Sequence, residues 1–116
     1  MKIRTLLLAI LLLGVTTLFS APFKNVKKIL TQPDGTELHC FASGDEFYNR
    51  LHDADGFTII QSAKSGFFVY ADTDARGNII ETEYIAGVSD PKALGLKPNI
   101  MISQEEYHRR RESKMA

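Results

Sequence analysis

The chain has 116 residues, 44% of them hydrophobic, with 14 Lys and Arg set against 14 Asp and Glu, one cysteine and no tryptophan. That length carries one ordinary domain with its own core and excludes a second of similar size. The even charge excludes a long-range pull toward nucleic acid or anionic lipid, and a lone Cys40 excludes an internal disulfide.

Lys2 and Arg4 precede an apolar run over 6–18, broken only by Gly14, Thr16 and Thr17, and the small residues Ser20 and Ala21 follow. This order predicts a secretory signal peptide over 1–21 and export of the remainder, to the periplasm or the medium. The run is shorter than the roughly 20 apolar residues that cross a hydrocarbon core, so no stable membrane anchor is expected. Loss of Lys2 and Arg4 leaves 12 basic against 14 acidic side chains, still close to neutral.

Beyond the leader, 26–31 and 37–41 read as strands, joined by Gln32-Pro33-Asp34-Gly35, in which proline presets φ and glycine takes a φ that other residues resist. Ser43-Gly44-Asp45-Glu46 is a Ser-x-x-Glu capping box and predicts a short helix with Phe47, Tyr48 and Leu51 on its packed face. Residues 57–61, 67–71 and 79–88 then read as a meander of strands, with turns at 62–66 and 74–78. Asp90-Pro91 opens a single helical turn, and Gly95 and Pro98 keep the backbone irregular after it. A second capping box, Ser103-Gln104-Glu105-Glu106, starts a helix that ends in Arg109-Arg110-Arg111, with acids at its positive end and bases at its negative end. The expected fold is a small α+β domain over 22–98, an antiparallel sheet of four or five strands with one short packed helix. Residues 99–116 form a C-terminal helix and basic linker free to project from it.

Three groups of residues have the chemistry to hold a metal. Asp72, Asp74, Gly77 and Glu83 fall on the first, third, sixth and twelfth positions of a calcium-binding loop, but Arg76 occupies the fifth and a strand precedes it, which favours a hairpin turn. His52, Asp53 and Asp55 lie within four residues, although Asp55-Gly56 is also ordinary turn chemistry. His39 and Cys40 are neighbours on a strand and point to opposite faces, so one of them faces the core and the two do not chelate together. No cofactor is expected.

Taken in order, the QPDG turn, Gly44-Asp45-Glu46-Phe47-Tyr48, His52-Asp53-Ala54-Asp55-Gly56-Phe57 and Gly66-Phe67-Phe68-Val69-Tyr70-Ala71 resemble the N-terminal pro-segment of bacterial immune inhibitor A-like secreted zinc metalloproteases. The resemblance continues through Val88-Ser89-Asp90-Pro91 and Leu94-Gly95-Leu96-Lys97-Pro98 to the basic tail. Such a protease needs a His-Glu-x-x-His helix to grip zinc and activate its water, and His39, His52 and His108 do not have that spacing. The resemblance therefore implies a pro-segment without its enzyme, a truncated product or fragment that is not itself an enzyme. Its implied partner is the catalytic domain of such a protease.

A pro-segment can silence a catalytic zinc by filling its open coordination position. Within the resembling motif, Cys40, Asp45, Asp53 and Asp55 are the side chains able to do so, and the sequence does not choose among them; Cys40 equally fits a small buried hydrophobe. Arg109, Arg110 and Arg111 either complement the helix dipole or form a site for trypsin-like processing. The competing class is a free-standing secreted binding module, in which Phe57, Phe67, Phe68 and Tyr70 would line an exposed recognition surface.

Overall fold

The computed structural model describes residues 21–115, so the leader over 1–21 lies, apart from Ala21, outside the described residues. Six strands follow one another: β1 (Phe23–Thr31), β2 (Glu37–Gly44), β3 (Asn49–His52), β4 (Thr58–Gln61), β5 (Phe68–Thr73) and β6 (Ile79–Ile85). Each pairs antiparallel with its sequence neighbour, giving one open meander of order β1-β2-β3-β4-β5-β6. A single helix, α1 (Gln104–Met115), closes the described chain. The fold is thus mostly β, with six strands where four or five were expected.

The short helix expected after Ser43 does not form. Ser43 and Gly44 end β2, and Asp45 turns the chain back: its amide donates to the Tyr48 carbonyl at 2.9 Å while its Oδ1 accepts the amides of Phe47 (2.9 Å) and Tyr48 (3.1 Å). The carboxylate of Asp45 thereby does for a hairpin turn what Ser43 was expected to do for a helix. Gly44, at φ 148°, has no room for a side chain, since a Cβ there would collide with the Tyr48 carbonyl.

Three of the other turns share one design, and the β4–β5 turn, where the Gly66 amide donates to the Ser62 carbonyl four residues back, does not. In Gln32–Thr36, Asp53–Phe57 and Asp74–Asn78 the fourth residue is glycine and its amide donates to the carbonyl of the first, at 2.9, 3.1 and 3.0 Å. Asp53 and Asp74 also use their carboxylates to accept amides inside their own turns. The calcium-like loop is accordingly a hairpin turn. Of its candidate ligands Asp74 is spent on the Arg76 and Asn78 amides; Glu81, which is not one of them, accepts Ser62 Oγ at 2.8 Å and the Ala63 amide at 2.9 Å. Among the described residues no three His, Cys, Asp or Glu side chains converge as a metal site.

Register explains the core. Ala42 faces Leu51, Leu51 faces Ile59, and Ile59 faces Tyr70, so one apolar row crosses four strands through direct partners. Leu38, Cys40, Phe57, Ile59, Tyr70 and Ala86 form the buried cluster, with Leu30, Leu51, Phe68 and Leu96 packed against it. Burying each large member contributes about 1.5–3 kcal/mol. Gln32 ties the sheet across its curl: its amide donates to the Phe68 carbonyl at 3.1 Å and accepts the Phe68 amide at 2.8 Å, as a strand residue would.

The opposite face carries a second row, Phe41 to His52 to Thr58, with the Phe41 and His52 rings stacked at 6.0 Å. The segment after the expected turn at Asp90 covers it. Thr58 donates its hydroxyl to the Ile100 carbonyl at 2.6 Å, and the Asn99 amide donates to Gly56 at 2.9 Å. Residues 99 and 100 are therefore held to the sheet.

Helix α1 starts as the second capping box predicts, with the Glu106 amide donating to Ser103 Oγ at 3.1 Å. It does not project away. Tyr107 donates its hydroxyl to Asp45 Oδ2 at 2.6 Å, and Lys114 Nζ donates to the Glu46 carbonyl at 2.6 Å. The β2–β3 turn is its dock. Among the described residues no helix is long and apolar enough to cross a membrane.

Candidate functional site

Two of the four resembling motifs, Gly44–Tyr48 and His52–Phe57, contribute to one groove of about 760 Å³. One wall is the end of β2 and the turn after it (Ser43, Gly44, Asp45, Tyr48), another is the β3–β4 turn (Ala54, Asp55, Gly56), and the floor is Arg50 and His52 of β3. The start of β1 and residues Asn99 and Met101 complete it. Its volume lies within the range of ordinary ligand clefts.

Backbone strain concentrates here. Asn25 (φ 54°) and Asn99 (φ 61°) are the non-glycine residues with positive φ among those described, and both line the groove. Asn25 sits where the β1–β2 register slips between Phe23 and Val26, and the slip carries its amide to Ser43 Oγ at 2.9 Å. Gly56 (φ 90°) lies so close to Asn99 that a Cβ would stand 2.9 Å from Asn99 Oδ1.

Two side chains fix the floor. Arg50 donates through Nη1 to the Gly56 carbonyl (3.1 Å) and Thr58 Oγ1 (3.0 Å), and through Nη2 to Asn99 Oδ1 (3.2 Å). Its partial burial draws its pKa down from the ordinary arginine value. Arg50 thus clamps the adjoining β3–β4 turn and β4 to Asn99, which lies 49 residues away in sequence.

His52, 4% exposed, lies between Asp53 and Ser43. Its Nδ1 is 2.8 Å from the Asp53 carbonyl, which can only accept, so in the neutral ring Nδ1 carries the proton and Nε2 accepts the Ser43 hydroxyl at 2.7 Å. A serine bonded to an oriented imidazole has the outline of an activated nucleophile. Here the hydroxyl oxygen also takes the Asn25 amide, and the nearby Arg50 donors are occupied, so the pair serves as a pin across β1, β2 and β3.

The four side chains able to fill a zinc position are placed very differently. Cys40 is 3% exposed in the core, and burial pushes its thiol pKa up, against the thiolate that metal binding needs. Asp45 is held below the usual carboxylate range by the Tyr107 hydroxyl first and by the amides of Phe47 and Tyr48. Asp53 accepts the Asp55 and Phe57 amides through Oδ1 and the Tyr70 hydroxyl, at 3.3 Å, through Oδ2. Asp55 stands exposed on the rim of the groove, and its carboxylate accepts no hydrogen bond from the described residues.

His39 is exposed and pairs with Glu37 at 3.3 Å, so of the neighbours His39 and Cys40 it is the cysteine that faces the core. Phe57 and Tyr70 are buried, and Phe67 and Phe68 are half-buried, so these four do not form an exposed aromatic surface. Arg109, Arg110 and Arg111 are exposed on α1. Sequence reasoning missed Ser43, Arg50 and Asn99 as partners in one site. The isolated signal for them was weak, a polar residue at the end of a strand and an asparagine after a proline. Comparison of the chain with protein-family models, with curated proteins and with solved structures finds no match.

Proposed function

We propose that residues 22–116 are the secreted, non-catalytic pro-domain of an immune inhibitor A-like zinc metalloprotease, assisting its folding and holding it latent. The observation that carries this reading is the convergence of two resembling motifs, Gly44–Tyr48 and His52–Phe57, on one groove although they sit on opposite ends of β3. In this reading the rim of that groove meets the protease cleft, and Asp55 is the side chain free to reach a metal. Cys40 would have to leave the core to do the same, and Asp45 and Asp53 would have to give up their turn amides.

Residues 22–116 added in trans are expected to inhibit a closely related mature protease at micromolar concentration. Inhibition is weaker than in the continuous chain, because a tether supplies an effective concentration on the order of millimolar. Among Cys40→Ser, Asp45→Asn, Asp53→Asn and Asp55→Asn, only Asp55→Asn should lose inhibition while unfolding at the parent's midpoint. Equal inhibition by all four assigns latency to steric cover. No inhibition by the parent at high micromolar concentration overturns the reading in favour of a free-standing binding module.

A further inference from the structure

We infer that α1 gates its own cleavage: Arg109, Arg110 and Arg111 are withheld from a protease with an acidic specificity pocket until the helix leaves the β2–β3 turn. The inference rests on reading these arginines as the processing site of the proposed pro-domain.

A trypsin-like protease holds its substrate extended, so the bond to be cut must first leave its helical hydrogen bonds. Arg109, Arg110 and Arg111 sit in the middle of the twelve residues of Gln104–Met115, where fraying from either end arrives last. An isolated helix of this length is marginal in water, so its persistence depends on the cap at Ser103 and on docking.

The dock is built from the same arginines. The Arg110 guanidinium lies 5.3 Å above the Tyr48 ring and the Arg111 guanidinium 5.8 Å above the Phe47 ring. Arg109 and Arg110 both pair with Glu106, one turn back. Between them Tyr107 sets its ring edge against Phe47, with centroids 6.1 Å apart, and donates its hydroxyl to Asp45. Entry of Arg110 or Arg111 into a specificity pocket therefore requires loss of a docking contact as well as of helix.

Asp45 and Tyr48 also line the groove, so the turn that holds the helix is a wall of the proposed binding site. Cutting after Arg110 or Arg111 separates Lys114 from the segment that anchors Tyr107, and the turn loses part of its support. Processing and the shape of the groove are thereby coupled.

Trypsin digestion of the exported chain, followed by mass spectrometry, tests the gate. Cuts at Arg109, Arg110 and Arg111 are compared with the cut at Lys64, which is exposed in the β4–β5 turn. When opening and closing are fast, cutting tracks the open population. The arginine cuts should be slower than in a free peptide of residues 103–116 by about 100-fold. Tyr107→Phe, which removes one charge-assisted hydrogen bond, should speed them about tenfold, and Phe47→Ala should act in the same direction, with the Lys64 cut unchanged.

Cutting of the parent at the rate of the free peptide overturns the gate. So does an unchanged ratio of arginine to Lys64 cutting in both variants, whether because neither cut moves or because both accelerate together through global unfolding. The digest contains no metalloprotease, so the gate and the proposed latency fail separately.

Discussion

Ser43→Ala tests whether the first capping-box signature belongs to a helix or, as the structure has it, to a pin across strands. The substitution removes the hydroxyl that meets His52 Nε2 at 2.7 Å and the Asn25 amide at 2.9 Å. The Asn25 amide lies near the exposed start of β1 and can turn to water, so its loss contributes little. His52 is 4% exposed, and its Nε2 is left without a protein partner, which costs about 1–3 kcal/mol. Taking about 2 kcal/mol, and about 4–8 °C per kcal/mol for a domain of this size, the thermal midpoint should fall by roughly 8–16 °C. The same substitution in a His52→Phe background should cost less than half as much, because no imidazole nitrogen remains to be stranded; the Asp53 carbonyl keeps the Gly56 amide in that background. Urea and thermal unfolding of the four proteins complete the cycle. A midpoint within about 2 °C of the parent, or full additivity of the two substitutions, would refute the pin.

Cys40 should resist a thiol-specific reagent such as Ellman's under native conditions and react at the rate of a free thiol in denaturant, since burial both hides the sulfur and raises its pKa. Rapid native labelling would mean that the β2 face opens far more readily than its packing implies. Acid should weaken the fold. Asp34, Asp45, Asp74 and Glu81 all have folded-state pKa values below their ordinary ones, led by the Thr36 hydroxyl, the Tyr107 hydroxyl, the Asn78 amide and the Ala63 amide respectively. Their contribution is complete above the unfolded carboxylate values near pH 4 and is lost as pH falls through the lower folded values. The urea midpoint is expected to be level from pH 7 to 5 and to drop toward pH 2, with helical circular dichroism falling as Asp45 protonates and Tyr107 lets go. A midpoint that does not move between pH 5 and 2 would contradict this.

Turns were the most legible part of the chain, because their conformation is settled within five residues. Gln32-Pro33-Asp34-Gly35 and Asp74–Asn78 needed nothing from elsewhere to be read. The two Ser-x-x-Glu signatures show where local reading stops. Ser103 precedes twelve residues with no competing strand partner, and it caps a helix. Ser43 precedes Gly44, four turn residues and then Asn49-Arg50-Leu51-His52, whose alternation puts Leu51 between Ala42 and Ile59 and Arg50 and His52 on the other face. Pairing on both sides outweighs a cap of about 1 kcal/mol, and only knowledge of the partners reveals it. The site was less legible still. Its walls come from the start of β1, the β2–β3 and β3–β4 turns and residues 99–101, and no pattern within one window brings Asn25, Arg50 and Asn99 together.

The strictly sequential order of the sheet bears on how quickly the chain organises itself. Every ladder joins neighbours in sequence, so each new strand closes only a short loop and loses little chain entropy before it gains contacts. Contacts of long reach arrive later: Gln32 to Phe68 spans 36 residues, Thr58 to Ile100 spans 42, and Asp45 to Tyr107 spans 62. A chain that emerges N-terminus first can therefore assemble the meander before the helix is available to it. The β2–β3 turn stands ready before α1 reaches it, and the groove is the last feature to acquire its full walls.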